Sequence, residues 1–194
     1  YEEARRRALQ LETAAQVAGQ ITSLQDPDHL MSRIVAVIRE NFNYDHAHVL
    51  LIDEERNELV LQEASGPLAE RVMQRGLRLR VGQDGITGWV AKHGKPLLVS
   101  NVRQDPRYHA DELLPNTQSE LAVPLRLGER IIGVLDAQSE RLRAFYPEDI
   151  TALQLLGDQA AIAIENARLF HETKQRLEAM NALHSISLDI VSQL

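Results

Sequence analysis

The sequence predicts an α+β domain in which six antiparallel strands form one sheet that is flanked by long helices. Short apolar runs, several of them alternating with polar residues, are typical of strands. The first two runs are separated by a short polar stretch and the last two flank Gly128-Glu129, so each pair indicates a hairpin. The six predicted strands span residues 47–53, 57–65, 77–81, 96–99, 119–127 and 130–139.

Helical periodicity appears on both sides of the predicted sheet. Residues 1–24 carry a narrow apolar stripe with alternating spacings of four and three, as in a coiled coil. A second amphipathic helix follows Pro27, and a third begins at Pro147 and continues to the end of the chain. This third helix would extend ~70 Å at 1.5 Å per residue, which is longer than a compact domain needs. We therefore expect the outer helices to pair with those of a second chain in a homodimer. The residues expected at the dimer interface are Ala4, Ala8, Leu11, Ala15, Leu156, Ala163, Ala167, Phe170 and Leu177.

Composition excludes several classes of protein. The 194 residues carry a net charge of −7, which disfavours nucleic acid as a partner. No apolar run approaches the ~20 residues that span a bilayer, so we expect no membrane contact from this chain. The sequence has no cysteine, which excludes disulfides, thiol nucleophiles and any chromophore attached through a thioether. A cytoplasmic location fits this composition. Because the chain begins at Tyr1 without a signal-like segment, we expect it to be part of a larger protein.

A search for catalytic and metal-binding motifs finds none. The seven histidines form no HExxH pair, no GxSxG turn is present, and no two acids lie at a recognisable catalytic spacing. We therefore expect neither a metal site nor an enzymatic activity in this chain. Gly82, Gly85 and Gly88 precede a short helix, a position that suits an anion cradle, but their spacing matches neither the dinucleotide motif nor the P-loop. Turn geometry and close packing are the favoured roles of these glycines.

Three ordered blocks of sequence indicate a family. The blocks GITGWVAKHGKPLLVSNVRQDPRY, SELAVPLRLGERIIGVLDAQS and AFYPEDITALQLLGDQAAIAIENARLF resemble GAF domains, the small-molecule-sensing modules of signalling proteins. The resemblance covers about residues 15–171. It implies helices near 28–43 and 147–171 on one face of the sheet, and a ligand pocket on the other face beneath segments 66–76 and 101–118. The expected domains are an N-terminal signalling helix (1–24), the GAF domain (25–171) and a linker helix that leads to a following domain (172–194).

The resemblance also implies a set of ligand contacts. Cyclic-nucleotide-binding GAF domains use the first strand, the end of the second, the GITG turn, the loop after the fourth strand and an acid on the last strand. The matching positions in this sequence are His48, Ala64, Ser65, Ile86, Thr87, Asp105, Tyr108, His109 and Asp136.

The identity of the ligand stays unknown at this stage. The Asn-Lys-Phe-Asp-Glu signature of cyclic-nucleotide GAF domains falls on Ser139, Glu140, Tyr146, Pro147 and Glu148, where only the last residue agrees, and this disfavours a cyclic nucleotide. Covalent bilin, which phytochrome-type GAF domains hold through a cysteine, is excluded because the chain has none. Haem held by a pocket histidine, His48 or His109, stays open.

The resemblance predicts a regulatory module that senses a small molecule within a multidomain signal-transduction protein. We expect the parent protein to be a sensor histidine kinase of a two-component system, in which pocket occupancy is relayed through dimeric helical stalks. Two alternatives stay open. In the first alternative, the parent protein is a cyclic-dinucleotide enzyme. In the second, the domain is a structural dimerisation spacer whose pocket is filled by its own side chains.

Overall fold

A computed structural model describes residues 12, 15, 16, 19, 29–42 and 44–192. In chain order its elements are α1 (Leu30–Phe42), β1 (His46–Asp53), β2 (Glu58–Ser65), α2 (Ala69–Arg75), β3 (Arg78–Arg80), α3 (Gly85–His93), β4 (Leu97–Val99), a 3₁₀ turn (Val102–Gln104), β5 (Ser119–Leu127), β6 (Arg130–Ser139) and α4 (Pro147–Ser192). The predicted contacts Ala4, Ala8 and Leu11 of the N-terminal helix lie outside the described residues, whereas Ala15 is helical and exposed.

The six strands form one antiparallel sheet in the order β3-β2-β1-β6-β5-β4. Each strand coincides with a predicted one to within one residue at each end, so the predicted α+β class and the two hairpins are confirmed. The hairpin turns join β1 to β2 and β5 to β6. The long connection between β2 and β5 carries α2, β3, α3 and β4, and it crosses one face of the sheet between the two edge strands, β3 and β4.

Alternation along the central strands assigns each side chain to one face of the sheet. The odd-numbered residues Val49, Val123 and Leu135 are fully buried in the main core, which α1 and α4 cover. The even-numbered residues Leu50, Ala122 and Val134 belong to a second apolar cluster under α2 and α3. Polar residues at even positions of these strands therefore project into the space between the sheet and the long β2–β5 connection.

The helix α4 runs for 46 residues and changes its environment along its length. Its first turns pack so closely on the sheet that a Cβ placed on Gly157 would lie 3.2 Å from Cγ2 of Val123. Further along, the exposed fractions of Phe170, Leu177 and Met180 are 63%, 56% and 71%. None of the helices in the described part of the chain is long and apolar enough to cross a membrane.

This course of α4 corrects the predicted dimer contacts. Leu156 and Ala163 are buried in the main core of their own chain, and Ala167 packs at its edge. The reason is that the predicted stripe faces the sheet of the same protomer over the first turns and solvent only afterwards. Phe170 and Leu177 are the predicted contacts on α4 that the protomer leaves exposed.

Candidate functional site

A cavity of about 350 Å³ lies on the face of the sheet opposite α1 and α4. This size falls at the lower end of the range for small-molecule sites. Apolar side chains from β1, β3, the helices and the loop before β5 form its walls, whereas its floor and mouth are polar. The wall residues are Leu50, Val72, Leu77, Leu79, Ile86 and Leu114.

The floor of the cavity is a buried polar cluster on the central strands. His48 and Asp136 are directly paired across β1 and β6, and Nδ1 of His48 lies 3.0 Å from Oδ2 of Asp136. Gln138 donates from Nε2 to the same oxygen at 2.8 Å. Thr117 in turn donates to Oε1 of Gln138 at 2.9 Å, which holds the orientation of the amide. Period-two alternation puts all the strand members of this cluster on the cavity face.

Two carboxyl groups meet at this floor. Glu120 and Asp136 are 4% and 1% exposed, and both line the cavity. Burial and, next, the charge of Asp136 raise the pKa of Glu120 well above its usual range. A side-chain hydrogen bond with Asp136 raises this pKa further, so Glu120 holds its proton more firmly than an ordinary carboxyl group does. The second carboxylate oxygen of Asp136, Oδ1, is buried, and no N–H group of the described residues donates to it.

An ion pair closes one side of the cavity mouth. Arg75 at the end of α2 donates from Nη1 to Oδ1 of Asp111 at 2.7 Å, and Asp111 also accepts the backbone N–H of Leu113 at 2.8 Å. Burial raises the pKa of Asp111, but the hydrogen bonds from Arg75 and Leu113 outweigh this effect, so the pKa is lowered. Gly76 follows Arg75 with φ of +68°, a left-handed conformation that ends α2 and favours glycine. The pair joins α2 to the loop before β5.

The turn before α3 places Ile86 and Thr87 at the cavity wall. Gly82 and Gly85 have φ of +77° and +72°, and a Cβ on Gly88 would lie 2.9 Å from the carbonyl oxygen of Arg80. These values confirm turn geometry and close packing as roles of the three glycines. Hydrogen bonds from the side chain and backbone of Arg80 lower the pKa of Asp84 to about 2 and hold the turn closed.

The structure brings six of the nine predicted ligand contacts to the cavity. They are His48, Ile86, Thr87, Tyr108, His109 and Asp136. Ala64 is buried beside His48 in the β1–β2 register, and Ser65 ends β2, but neither lines the cavity. Asp105 is also absent from the lining, because its carboxylate accepts two side-chain bonds from Arg107 at 2.8 and 2.6 Å.

Sequence reasoning missed Glu120, Gln138, Arg75 and Asp111. Glu120 and Gln138 are paired across β5 and β6, and Gln138 lies two residues after Asp136 on the same face. Extending the alternation from Asp136 along both strands would have found these two. Within the described residues, no cluster of three or more histidine, aspartate or glutamate side chains could hold a metal ion.

The chain belongs to the GAF domain family, whose model matches residues 25–165. GAF domain-containing protein A of Dictyostelium discoideum is 33% identical over 130 residues, which are 67% of this chain and 76% of that protein. The Nif-specific regulatory protein of Azotobacter vinelandii is 32% identical over 136 residues, which are 68% of this chain but 26% of that protein. The chain thus resembles the GAF domains of multidomain regulatory proteins, of which it spans only a part.

A solved structure overturns the expectation that this chain is not an enzyme. The free methionine-R-sulfoxide reductase from Neisseria meningitidis, determined in complex with its substrate, is 30% identical with a TM-score of 0.73. The match covers 84% of this chain and 93% of that one. A GAF domain of similar sequence is therefore an enzyme. Reasoning from linear motifs was wrong here because a site built on a sheet face draws its residues from distant strands and loops, without a fixed spacing.

Proposed function

We propose that this chain is the ligand-sensing GAF module of a multidomain signalling protein, and that cavity occupancy is relayed through paired helices of a homodimer. A sensor histidine kinase is the parent protein that we expect, with a cyclic-dinucleotide enzyme as the alternative. The cytoplasmic location stays a prediction. The observation that carries the proposal is the cavity itself, which combines apolar walls with a buried polar floor formed by His48, Asp136 and Gln138.

The composition of the cavity supports ligand binding over a filled, purely structural pocket. Apolar walls give a small molecule favourable burial, and a few convergent polar groups at the floor fix its orientation. The side chains that could fill the space, such as Tyr108, instead stand at its wall.

Direct contacts connect the cavity floor to α4. Glu120 lies on β5, and the neighbouring residues Leu121 and Val123 face the main core, to which Leu156 of α4 also belongs. On the same strand the carbonyl oxygen of Pro124 accepts a hydrogen bond from Nε2 of Gln154 on α4 at 3.0 Å. A shift of β5 on ligand binding would therefore move α4. Such a relay requires that the ligand binds the two arrangements of the helices with different affinity, typically by 1–3 kcal/mol.

The exposed part of α4 suits pairing with a second chain. Phe170 and Leu177 are seven residues apart and lie on nearly the same side of the helix. Large apolar side chains with more than half of their surface exposed favour association, because a partner helix removes them from water. The relay in this proposal acts through this apolar stripe.

Native mass spectrometry of protein purified from cells tests the sensing function. We expect a dimer that carries one small-molecule adduct per protomer. The variant Leu114→Trp, which places a large side chain at the cavity wall, should remain dimeric and lose the adduct. A wild-type dimer with no adduct, and with no mass change after incubation in a cell metabolite extract, would support the spacer alternative.

A second candidate function is catalysis in the same cavity, favoured by the similarity to the Neisseria reductase. Glu120, whose raised pKa keeps a proton available, and His48 both line the ligand space, as general acid–base catalysis requires. The sequence has no cysteine, so reduction of a sulfoxide would take its electrons from an added dithiol. Turnover of free methionine-R-sulfoxide with a dithiol, lost in Glu120→Gln, would support this candidate. A rate equal to that of the dithiol alone would refute it.

A further inference from the structure

One short segment, residues 107–111, lies at the mouth of the cavity, and we call it the strap. Its residues 108–111 line the cavity, and the strap contains no helix or strand. An arginine makes a contact at each end: Arg107 is the first residue of the strap, and Arg75 of α2 pairs with Asp111, the last. In the described part of the chain, no hydrogen bond or ion pair ties residues 108–110 to a helix or a strand. The contacts at the two ends therefore hold the strap in place.

The first end of the strap is attached to the ring of Trp89 in α3. Cζ of Arg107 lies 5.2 Å from the ring centroid, within the range of a cation–π interaction. The guanidinium is oriented by Asp105, which accepts two side-chain bonds from it at 2.8 and 2.6 Å. The ring is fixed within α3, because His93 stacks on it with 4.2 Å between centroids and donates from Nδ1 to the carbonyl oxygen of Trp89 at 2.8 Å.

The last end of the strap is attached to α2 by the ion pair between Arg75 and Asp111. Their side chains are partly exposed, so water competes with this pair. Only three residues separate Arg107 from Asp111, and a chain of this length has little slack. A displacement at one end should therefore also displace the other.

We propose that the strap couples α2 to α3 across the cavity mouth, so that its two attachments tighten and loosen together. Trp89 is then a positioning residue: it does not line the cavity, but it sets where Tyr108 and His109 of the strap stand. A ligand that contacts either of these side chains changes the contact between Arg107 and Trp89. This inference rests on the proposed ligand-sensing function and adds the segment that closes the cavity over the ligand.

Fluorescence tests the coupling from α2 to α3, because Trp89 is the only tryptophan of the chain. Arg75→Gln releases the attachment to α2 and should make acrylamide quench Trp89 more strongly than in wild type. The exchanged pair Arg75→Asp with Asp111→Arg should restore the wild-type quenching. Arg71→Gln removes the same charge from an exposed position of α2 and, as the control, should leave the quenching unchanged. Unchanged quenching in Arg75→Gln would overturn the proposal.

Amide hydrogen exchange tests the coupling in the opposite direction. Trp89→Leu removes the ring and should accelerate exchange in residues 108–113 by about two- to fivefold, which corresponds to one partly exposed cation–π contact. Trp89→Phe keeps a ring for Arg107 and should retain most of the slow exchange. Equal exchange in Trp89→Leu and wild type would overturn the proposal. If Trp89→Leu does not fold, the quenching of Trp89 in Arg75→Gln decides.

The failure of this proposal is distinguishable from the failure of the sensing function. If the two attachments respond together but the native mass spectrum shows no adduct, the strap is supported and the sensing function is not. If the protein carries an adduct but each attachment responds only to its own variant, the sensing function is supported and the strap is overturned.

Discussion

His48 and Asp136 contact each other directly across the centre of the sheet, where Nδ1 of the imidazole lies 3.0 Å from Oδ2 of the carboxylate. Because a carboxylate accepts, Nδ1 is the nitrogen that donates in this contact. Nε2 of His48 is then the ring nitrogen that remains to contact a ligand. The pair thus orients two lining groups of the cavity at once, and both side chains are buried.

Replacing His48 should destabilise the domain through Asp136. His48→Leu removes one of the two donors to Oδ2 and leaves a buried carboxylate with less compensation, which typically costs about 1–3 kcal/mol. His48→Asn keeps an N–H donor near the same position and should recover part of the loss. Urea unfolding at neutral pH measures both variants. Equal stability of His48→Leu and wild type would show that the contact contributes nothing, and His171→Leu on the exposed part of α4 is the control.

The raised pKa of Glu120 predicts a particular dependence of stability on pH. In the unfolded chain this carboxyl ionises near its ordinary pKa of about 4.3, whereas in the folded domain it stays protonated to much higher pH. Between the pKa of the unfolded chain and the higher pKa of the folded domain, ionisation of this carboxyl stabilises only the unfolded state. The free energy of unfolding therefore falls as the pH rises between these two pKa values. The glutamine in Glu120→Gln cannot ionise, so the variant should not show this decrease in the free energy of unfolding.

Urea unfolding at a series of pH values checks this prediction. Wild type and Glu120→Gln should differ little near pH 4, and the variant should become progressively more stable than wild type as the pH rises to 8. Glu129→Gln, which changes an exposed glutamate, should follow the wild-type curve. Parallel curves for wild type and Glu120→Gln would mean that Glu120 is ionised in the folded domain.

The Arg75–Asp111 ion pair should control the loop more than the stability. Its side chains are 37% and 21% exposed, and pairs at such positions typically contribute about 0–1 kcal/mol. Arg75→Gln should therefore change the unfolding free energy little but increase amide hydrogen exchange in residues 108–114. The exchanged pair Arg75→Asp with Asp111→Arg should restore slow exchange. If amide exchange in Arg75→Gln is as slow as in wild type, the Arg75–Asp111 pair does not hold the loop at the cavity mouth.

The apolar stripe on α4 predicts a dimer that can be separated without unfolding. Phe170→Glu with Leu177→Glu places two charges in the proposed interface and should yield a folded monomer in sedimentation velocity. Gln175→Glu with Ala179→Glu adds the same charge on the opposite side of the helix and should stay dimeric. Leu156 is not a suitable target because it is fully buried in its own protomer. An unchanged dimer mass in the first variant would place the interface elsewhere.

The strands and the main core could be predicted from local patterns because alternation along a strand is a property of neighbouring residues. The resemblance to GAF domains predicted His48 and Asp136 as ligand contacts, and the observed alternation places both side chains on the cavity face. Glu120 was missed because this alternation was not extended to β5, although its complete burial also depends on the loop before β5, which no local pattern records. Similarly, the stripe on α4 predicts an apolar surface, but it does not tell whether the chain's own sheet covers it, as at Leu156, or a partner does.

The most direct test of the central claim, a ligand-binding cavity above His48 and Asp136, is a crystal structure of the protein purified from cells. Our account predicts density for one small molecule in the cavity of each protomer, with a polar atom within about 3.2 Å of the side chain of His48, Asp136 or Gln138. The contradicting result would be a space filled by side chains of the loop before β5, with no density for a small molecule.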